Sequence, residues 1–238
     1  MDPGLYIVGT PIGNLEDITA RALQALRDVD AILAEDTRHT RKLLDRYEIR
    51  KPMVSYHKFN EAARVDQVLD RIRGGAALAL VTDSGMPAVS DPGARIVEAC
   101  RREGLKVSVF PGPSAVTSAV ALSGFAGNGF VFGGFLPHKP GPRKRRLAAL
   151  LRAELPVVLF ESPYRILKLL GEIEEVAGAR RVFIGRELTK HFEECLCGTA
   201  AELRAAFEGR AMKGEFVVVL EVGEDVVEEP PADDEYSA

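Results

Sequence analysis

Between residues 80 and 100 the chain reads LVTDSGMPAVSDPGARIVEAC, and just beyond its apolar start stand a carboxylate, a hydroxyl and a glycine: Asp83, Ser84 and Gly85. A carboxylate and exposed backbone amides at such a place can line a ligand pocket. Gly85 and Gly93 permit positive φ or close backbone approach, while Pro87 and Pro92 narrow the alternatives, so the turn is preorganised. Ser90 or Asp91 is placed to cap the following helix with Pro92 in its first turn, and Ser162 before Pro163 repeats the arrangement in FESPYR. Efficient capping alone is the rival reading of SDPG and of FESPYR, and it leaves the three residues ahead of the first cap unexplained.

Other stretches carry similar chemistry. VGTPIGN holds Gly9 and Gly13, with Glu35 and Asp36 following at the distance of a ribose-binding acid. It lacks G-x-G-x-x-G, however, and Pro11 sits where a phosphate cradle needs free amides, so a dinucleotide fold is disfavoured. In LPHKPGPRKRRLAAL, the residues Arg143, Lys144, Arg145 and Arg146 enter a helix after a Gly-Pro loop. Such a cluster attracts phosphates and makes their binding salt-dependent; the rival reading is an ordinary basic helix face. His57, Lys58 and Arg165 extend the candidate patch. The histidines, His39 among them, show no metal-ligand spacing, and no catalytic metal is expected.

These residues need a frame. Strand-like runs at Leu5 to Val8, Ala31 to Ala34, Met53 to Tyr56, Ala76 to Val81 and Lys106 to Phe110 alternate with helical patterns such as Val65, Val68, Leu69 and Ile72. That alternation predicts βαβ units and a parallel sheet. After FPGPSA a second series begins: Phe130 to Phe132, Val157 to Phe160, Val182 to Ile184, Glu194 to Cys197 and Phe216 to Leu220. We therefore expect two α/β domains, residues 1–113 and 114–222, and an acidic, disordered tail at 223–238. The distinctive stretches all follow strands, where open α/β sheets bind ligands.

The formal charge of -4 conceals an asymmetry, because eight of the 35 acidic residues lie in 221–238, which holds no basic one. Against the remaining 27 stand 31 basic residues, so the body of the chain is +4. No apolar run approaches the ~20 residues of a membrane span, and no signal-peptide pattern precedes the first strand, so a cytoplasmic protein is expected. Cys100, Cys195 and Cys197 are too few and too badly spaced for a disulfide framework, and we read them as incidental thiols.

Taken in order, LYIVGTPIGNLEDIT, AEDTRHTRKLL, SYHKFNE, LVTDSGMPAVSDPG, VFPGPSAVTSA, FGGFLPHK, FESPYR, IGRELTKHFEE and KGEFVVV resemble the tetrapyrrole methylase superfamily, and within it the 16S ribosomal RNA (cytidine-2'-O)-methyltransferase branch. The resemblance runs from residue 5 to about 220 and is highly specific. It implies the class III methyltransferase architecture, two α/β domains with a cleft between them that binds S-adenosylmethionine (SAM), usually in a homodimer. It also implies 2'-O-methylation of a cytidine ribose in the small ribosomal subunit. Members of the branch often continue into a further C-terminal segment, where this chain has its acidic run.

Carried over residue by residue, the resemblance assigns Pro11, Asp83, Ser84, Gly85, Val89, Ser114, Ala115, Phe160, Glu161 and Gly214 to the cofactor. A sulfonium cation suits carboxylates such as Asp83. Methyl transfer to a hydroxyl is an in-line displacement, for which alignment is the first requirement and a nearby base a further help. Asp36 and Glu161 are the candidates for that base, with Arg38 or Lys190 as partners to the nucleotide; Asp36 has the rival role of a helix cap. The RNA footprint is expected at Arg38, His57, Lys58, Arg143, Lys144, Arg145, Arg146 and Arg165. Rival functions are a tetrapyrrole or diphthamide-precursor methylase of the same superfamily, a nucleotide-dependent oxidoreductase, and a non-catalytic RNA-binding module.

Overall fold

A computed structural model describes residues 1–125 and 127–223, so the expected tail lies almost wholly outside the described residues. The chain divides into two compact units, Met1–Ser118 with Leu188–Glu193, and Ala119–Glu187 with the chain from Glu194 onward. The expected boundary at 113/114 thus moves to 118/119, and six residues of the second half belong with the first.

The first unit is a five-stranded sheet of β1 (Gly4–Val8), β2 (Ala31–Ala34), β3 (Met53–Ser55), β4 (Ala77–Val81) and β5 (Val107–Phe110) in the order β3-β2-β4-β1-β5. Each neighbouring pair is parallel. Side chains alternate between two cores, as strand geometry demands. Val8, Ile32, Ala34, Ala79 and Val81 pack with α1 (Ala20–Asp28) and α2 (Thr37–Arg46), through Ala25, Leu26, Leu43 and Leu44. Leu5, Ala31, Leu33, Leu78 and Leu80 pack on the other face with α3 (Glu61–Arg73) and α4 (Ala94–Arg102), through Val68, Leu69, Ile72, Ile96 and Ala99. Burial on both faces explains why β2 and β4 read as unbroken apolar runs.

This order has a consequence for ligands. The chain leaves β1 toward β2 and β3 with its helices on one face, and leaves β3 and β4 toward β5 with its helices on the other. Neighbouring strands β1 and β4 therefore send their loops to opposite faces, which makes a topological switch point at their carboxyl ends.

The second unit is a sheet of β6 (Val131–Phe135), β7 (Val157–Glu161), β8 (Arg181–Arg186), β9 (Glu194–Thr199) and β10 (Phe216–Leu220) in the order β6-β7-β10-β8-β9. Only β6 and β7 are parallel; the other pairs are antiparallel. One face is covered by α6 (Pro140–Leu150), α7 (Ile166–Ala177) and α8 (Ala200–Phe207), whose Leu147, Leu150, Leu169, Leu170, Ile173, Leu203 and Phe207 meet Leu159, Ile184 and Val218. Thr199 and Glu202 close a capping box on α8. The remaining helix, α5 (Ala115–Ser123), spans the division between the units.

Candidate functional site

At the carboxyl end of the first sheet, three loops are fastened to one another. Thr10 and Gly85 exchange backbone hydrogen bonds of 2.9 and 3.2 Å, and the Thr10 hydroxyl donates to the Thr82 carbonyl at 3.1 Å. Gly85 takes φ of 83°, the left-handed region its sequence context predicts. On the other side of β1, a Cβ on Gly9 would lie 2.7 Å from the backbone of Gly112, so only glycines let the loops after β1 and β5 approach so closely. The loops of β4, β1 and β5 are thereby joined side by side, with Pro11 buried and Ser114 and Ala115 half-buried at the start of α5.

Three carboxylates stand in this corner. Glu35 Oε2 accepts from the Thr82 hydroxyl at 2.7 Å. Asp83 Oδ1 accepts from the Asp36 amide at 3.1 Å, which ties the β4 loop to the β2 loop. Partial burial pushes the Asp83 carboxyl above the ordinary range despite that hydrogen bond, and the charge of Glu35 adds to the rise. Asp36 behaves oppositely. It caps α2 by accepting from the Arg38 amide at 2.8 Å and holds the Arg38 guanidinium through Nε and Nη2, at 3.1 and 2.7 Å. The Arg38 side-chain bond and backbone amide hold its carboxyl well below the usual range.

The turn after β4 takes the positive φ expected at Gly93, 131°, and adds strain that its composition does not predict, with Ala88 and Ser90 at φ of 66° and 65°. The N-cap positions fall on other residues than expected. Gly93 is the N-cap of α4 with no side-chain bond, and Arg165 holds that place on α7. Pro163 opens the turn before α7, which the Arg165 amide closes on the Ser162 carbonyl at 3.0 Å, and Pro92 lies with Gly93 in the turn before α4. Val89 projects into solvent.

Lys190 belongs to the segment that returns to the first unit. The Asn14 amide donates to Thr189 Oγ1 at 3.0 Å, and a Cβ on Gly13 would lie 2.5 Å from Lys190 Cγ. Lys190 therefore lies along the loop after β1, a neighbourhood that its place in the sequence does not reveal.

In the second unit the structure corrects two expectations. Arg143 is 1% exposed and donates from Nη2 to Glu161 Oε2 at 2.7 Å and from Nε to Glu172 Oε2 at 2.6 Å. It is an internal ion, not a phosphate contact. Gly141 and Pro142, expected in a flexible loop, lie inside the first turn of α6, and this phase turns Arg143 inward with Leu147 and Leu150. Glu161 is equally committed: its other oxygen accepts from Arg165 Nη2 at 2.8 Å and from the Ser162 amide at 2.8 Å. With no free oxygen and no solvent exposure, it is not placed to take a proton from a substrate. Lys144, Arg145 and Arg146 are exposed, with Lys144 paired to Glu175 at 2.6 Å. Arg165 is 20% exposed and reaches His138 at 3.3 Å. Phe160 packs on Phe132 and Phe135, and Gly214 precedes β10 with φ of 90°.

The family model of tetrapyrrole (corrin/porphyrin) methylases matches residues 4–204. The chain belongs to this methylase family. The methylase is 52% identical over 217 residues to ribosomal RNA small subunit methyltransferase I of Thermotoga maritima, covering 91% of this chain and 97% of that protein. The protein of the same name from Bacillus subtilis is 41% identical, over 91% of this chain and 74% of its own. Among solved structures, a diphthine synthase superposes with a TM-score of 0.71 at 16% identity, covering 91% and 89% of the two chains. A uroporphyrin-III C-methyltransferase from Thermus thermophilus in complex with S-adenosylhomocysteine gives 0.61 at 19% identity, over 93% and 97%. These likenesses establish the class III architecture expected for the methylase.

In the methylase, the structure thus brings Pro11, Asp83, Ser84, Gly85 and Asp36 into one corner with Arg38. It keeps His57 and Lys58 on a separate turn after β3 and removes Arg143 from the surface. Sequence reasoning missed Thr10, Thr82 and Gly112, although Gly9 and Gly112 carry the signal of paired glycines after neighbouring strands. Among the described residues no three His, Cys, Asp or Glu side chains are grouped to hold a metal ion, and no helix is long and apolar enough to cross a membrane.

Proposed function

We propose that this chain transfers the methyl group of SAM to the 2'-hydroxyl of a cytidine in 16S ribosomal RNA of the small subunit. The observation that carries the reading is the fastened corner of the β1, β4 and β5 loops, in a chain so similar over 91% of its length to relatives named for ribosomal RNA methylation. The tetrapyrrole and diphthine enzymes share only the fold, at 16 to 20% identity, which favours ribosomal RNA over their substrates. As active form we propose a cytoplasmic homodimer.

The residues of the corner fit SAM in kind. Asp83 and Glu35 supply negative potential for a sulfonium, the charge of Asp36 being met by Arg38, and the glycine-paired strand ends offer backbone groups for adenosine with little side-chain obstruction. Pro11, Ser84, Gly85, Ser114 and Ala115 would hold the nucleoside. SAM supplies the electrophilic methyl group when bound.

The chain's own contribution is chiefly alignment. Asp36 is held by Arg38 and Glu161 by two arginines, so neither carboxylate is free to accept the hydroxyl proton, which passes to solvent water as the O–C bond forms and the C–S bond to S-adenosylhomocysteine breaks. Asp36 instead fixes Arg38, which is 88% exposed, as an oriented cation for the nucleotide, and Lys190 beside the first loop adds a second. Holding the reacting atoms in line supplies much of the acceleration in such displacements. The test is incubation with SAM and unmodified small subunits, with methylated nucleosides mapped by mass spectrometry. A 2'-O-methylcytidine is expected; methylation of a tetrapyrrole but not of the subunit would overturn the reading.

A further inference from the structure

We propose that Phe59 is a stacking platform for an unpaired nucleobase of the RNA, an inference that rests on the ribosomal RNA reading above. Phe59 is 85% exposed, in the turn YHKFN between β3 and α3. An exposed phenylalanine on a loose loop would mean little, but this turn is held rigidly. Asn60 Oδ1 accepts from the His57 amide at 2.8 Å, and its Nδ2 donates to the Ser55 carbonyl at 3.2 Å. The His57 carbonyl accepts from the amides of Asn60 and Glu61 at 2.9 and 2.8 Å. The backbone beneath the ring is therefore fixed, which lowers the ordering cost that a ligand must meet.

The neighbours of the ring define that ligand. Lys58 Nζ lies 4.9 Å from the ring centroid, and the His57 imidazole meets the ring edge-on with centroids 6.0 Å apart. One face carries a cation, and the high exposure leaves the rest of the ring to solvent. An aromatic ring beside a cation is the element with which proteins hold single-stranded RNA: the ring takes a base face and the cation the adjoining phosphate. A purely apolar partner would gain nothing from Lys58 and would bury its charge.

The test uses a natural advantage: the chain contains no tryptophan, so Phe59→Trp introduces a single tryptophan, excited selectively beyond the absorption of the five tyrosines. Oligocytidylate RNA should quench it, and inorganic polyphosphate, which offers charge without bases, should not. Phe59→Ala should weaken oligocytidylate binding by roughly 5- to 100-fold, Phe59→Tyr should restore it, and the salt dependence of the alanine variant should keep its slope, because no phosphate contact is lost. Equal quenching by polyphosphate, or full RNA affinity in the alanine variant, overturns the inference. So does a variant that keeps RNA affinity but changes oligomeric state by light scattering, since the ring would then face a second copy of the chain. Methylation of small subunits by the unaltered protein is measured alongside. Methylation without stacking sinks this inference alone, whereas failed methylation tells against the function itself.

Discussion

Arg143 Nη2 meets Glu161 Oε2 at 2.7 Å with side-chain exposures of 1% and 0%, and the same guanidinium holds Glu172 on α7. One ion thus joins α6, the end of β7 and α7. Arg143→Met would leave Glu172 buried without its cation and Glu161 with Arg165 alone, and breaking such a buried pair costs about 3–5 kcal/mol. Urea denaturation should show a loss of that order, with Arg145→Met as a control within about 0.5 kcal/mol of the parent. A loss no larger than the control's would mean that the internal ion cluster does not stabilise the unit.

The RNA contribution of this helix must come from its outward residues. The triple change of Lys144, Arg145 and Arg146 to Gln, with Arg143 kept, should weaken RNA binding and lower the log-log salt slope by up to about 0.7 per lost phosphate contact with single strands. SAM affinity, measured by calorimetry, should be unchanged. An unaltered slope would make the cluster an ordinary basic face.

Asp83 gives a pH signature. Burial raises its carboxyl in the folded chain above the unfolded value of 3.8, so protonation favours the fold. The contribution of Asp83 to stability should therefore fall as pH rises from below 3.8 through the raised value, and level off above it. Asp83→Asn keeps an acceptor for the Asp36 amide and removes the titration. Its stability relative to the parent should improve across that window and be constant at neutral pH, while its SAM affinity falls. Parallel stability curves for the two proteins would contradict the burial of this carboxyl.

Asp36 separates capping from proton transfer. Asn can still cap α2 but cannot act as a base. Because a general base contributes about 100- to 10,000-fold, Asp36→Asn should retain more than about 1% of the methylation rate if the carboxylate only positions Arg38. A larger loss in a folded variant, at saturating substrate, would restore Asp36 as the base.

The glycine pair between β1 and β5 is testable by one methyl group. Gly112→Ala would place a Cβ 2.9 Å from the Gly9 backbone, and overpacking of this kind costs about 1–3 kcal/mol. The joined loops should shift and SAM binding should drop. Gly127→Ala, with nothing within 4 Å of the new Cβ, should melt with the parent. Unchanged SAM affinity in the Gly112 variant would remove this junction from the cofactor site.

All ten strand-like runs became strands, within three residues at their ends, because each carries its apolar pattern locally and the sheets bury that pattern on at least one face. The loop chemistry was equally legible: Gly85 and Gly93 do take positive φ, and Asp36 does cap α2. What escaped the sequence depends on partners far along the chain. Arg143 in PRKRR reads as surface until the phase of α6 turns it toward Glu161 and Glu172, 18 and 29 residues away. Lys190 reads as part of the second half until Thr189 bonds Asn14, 175 residues away. The choice of Gly93 and Arg165 over serine or aspartate as caps is likewise decided by how each loop enters its helix. Local periodicity and turn chemistry are written in neighbouring residues, whereas the inward or outward turn of a charged side chain is settled only when packing brings a counter-charge to meet it.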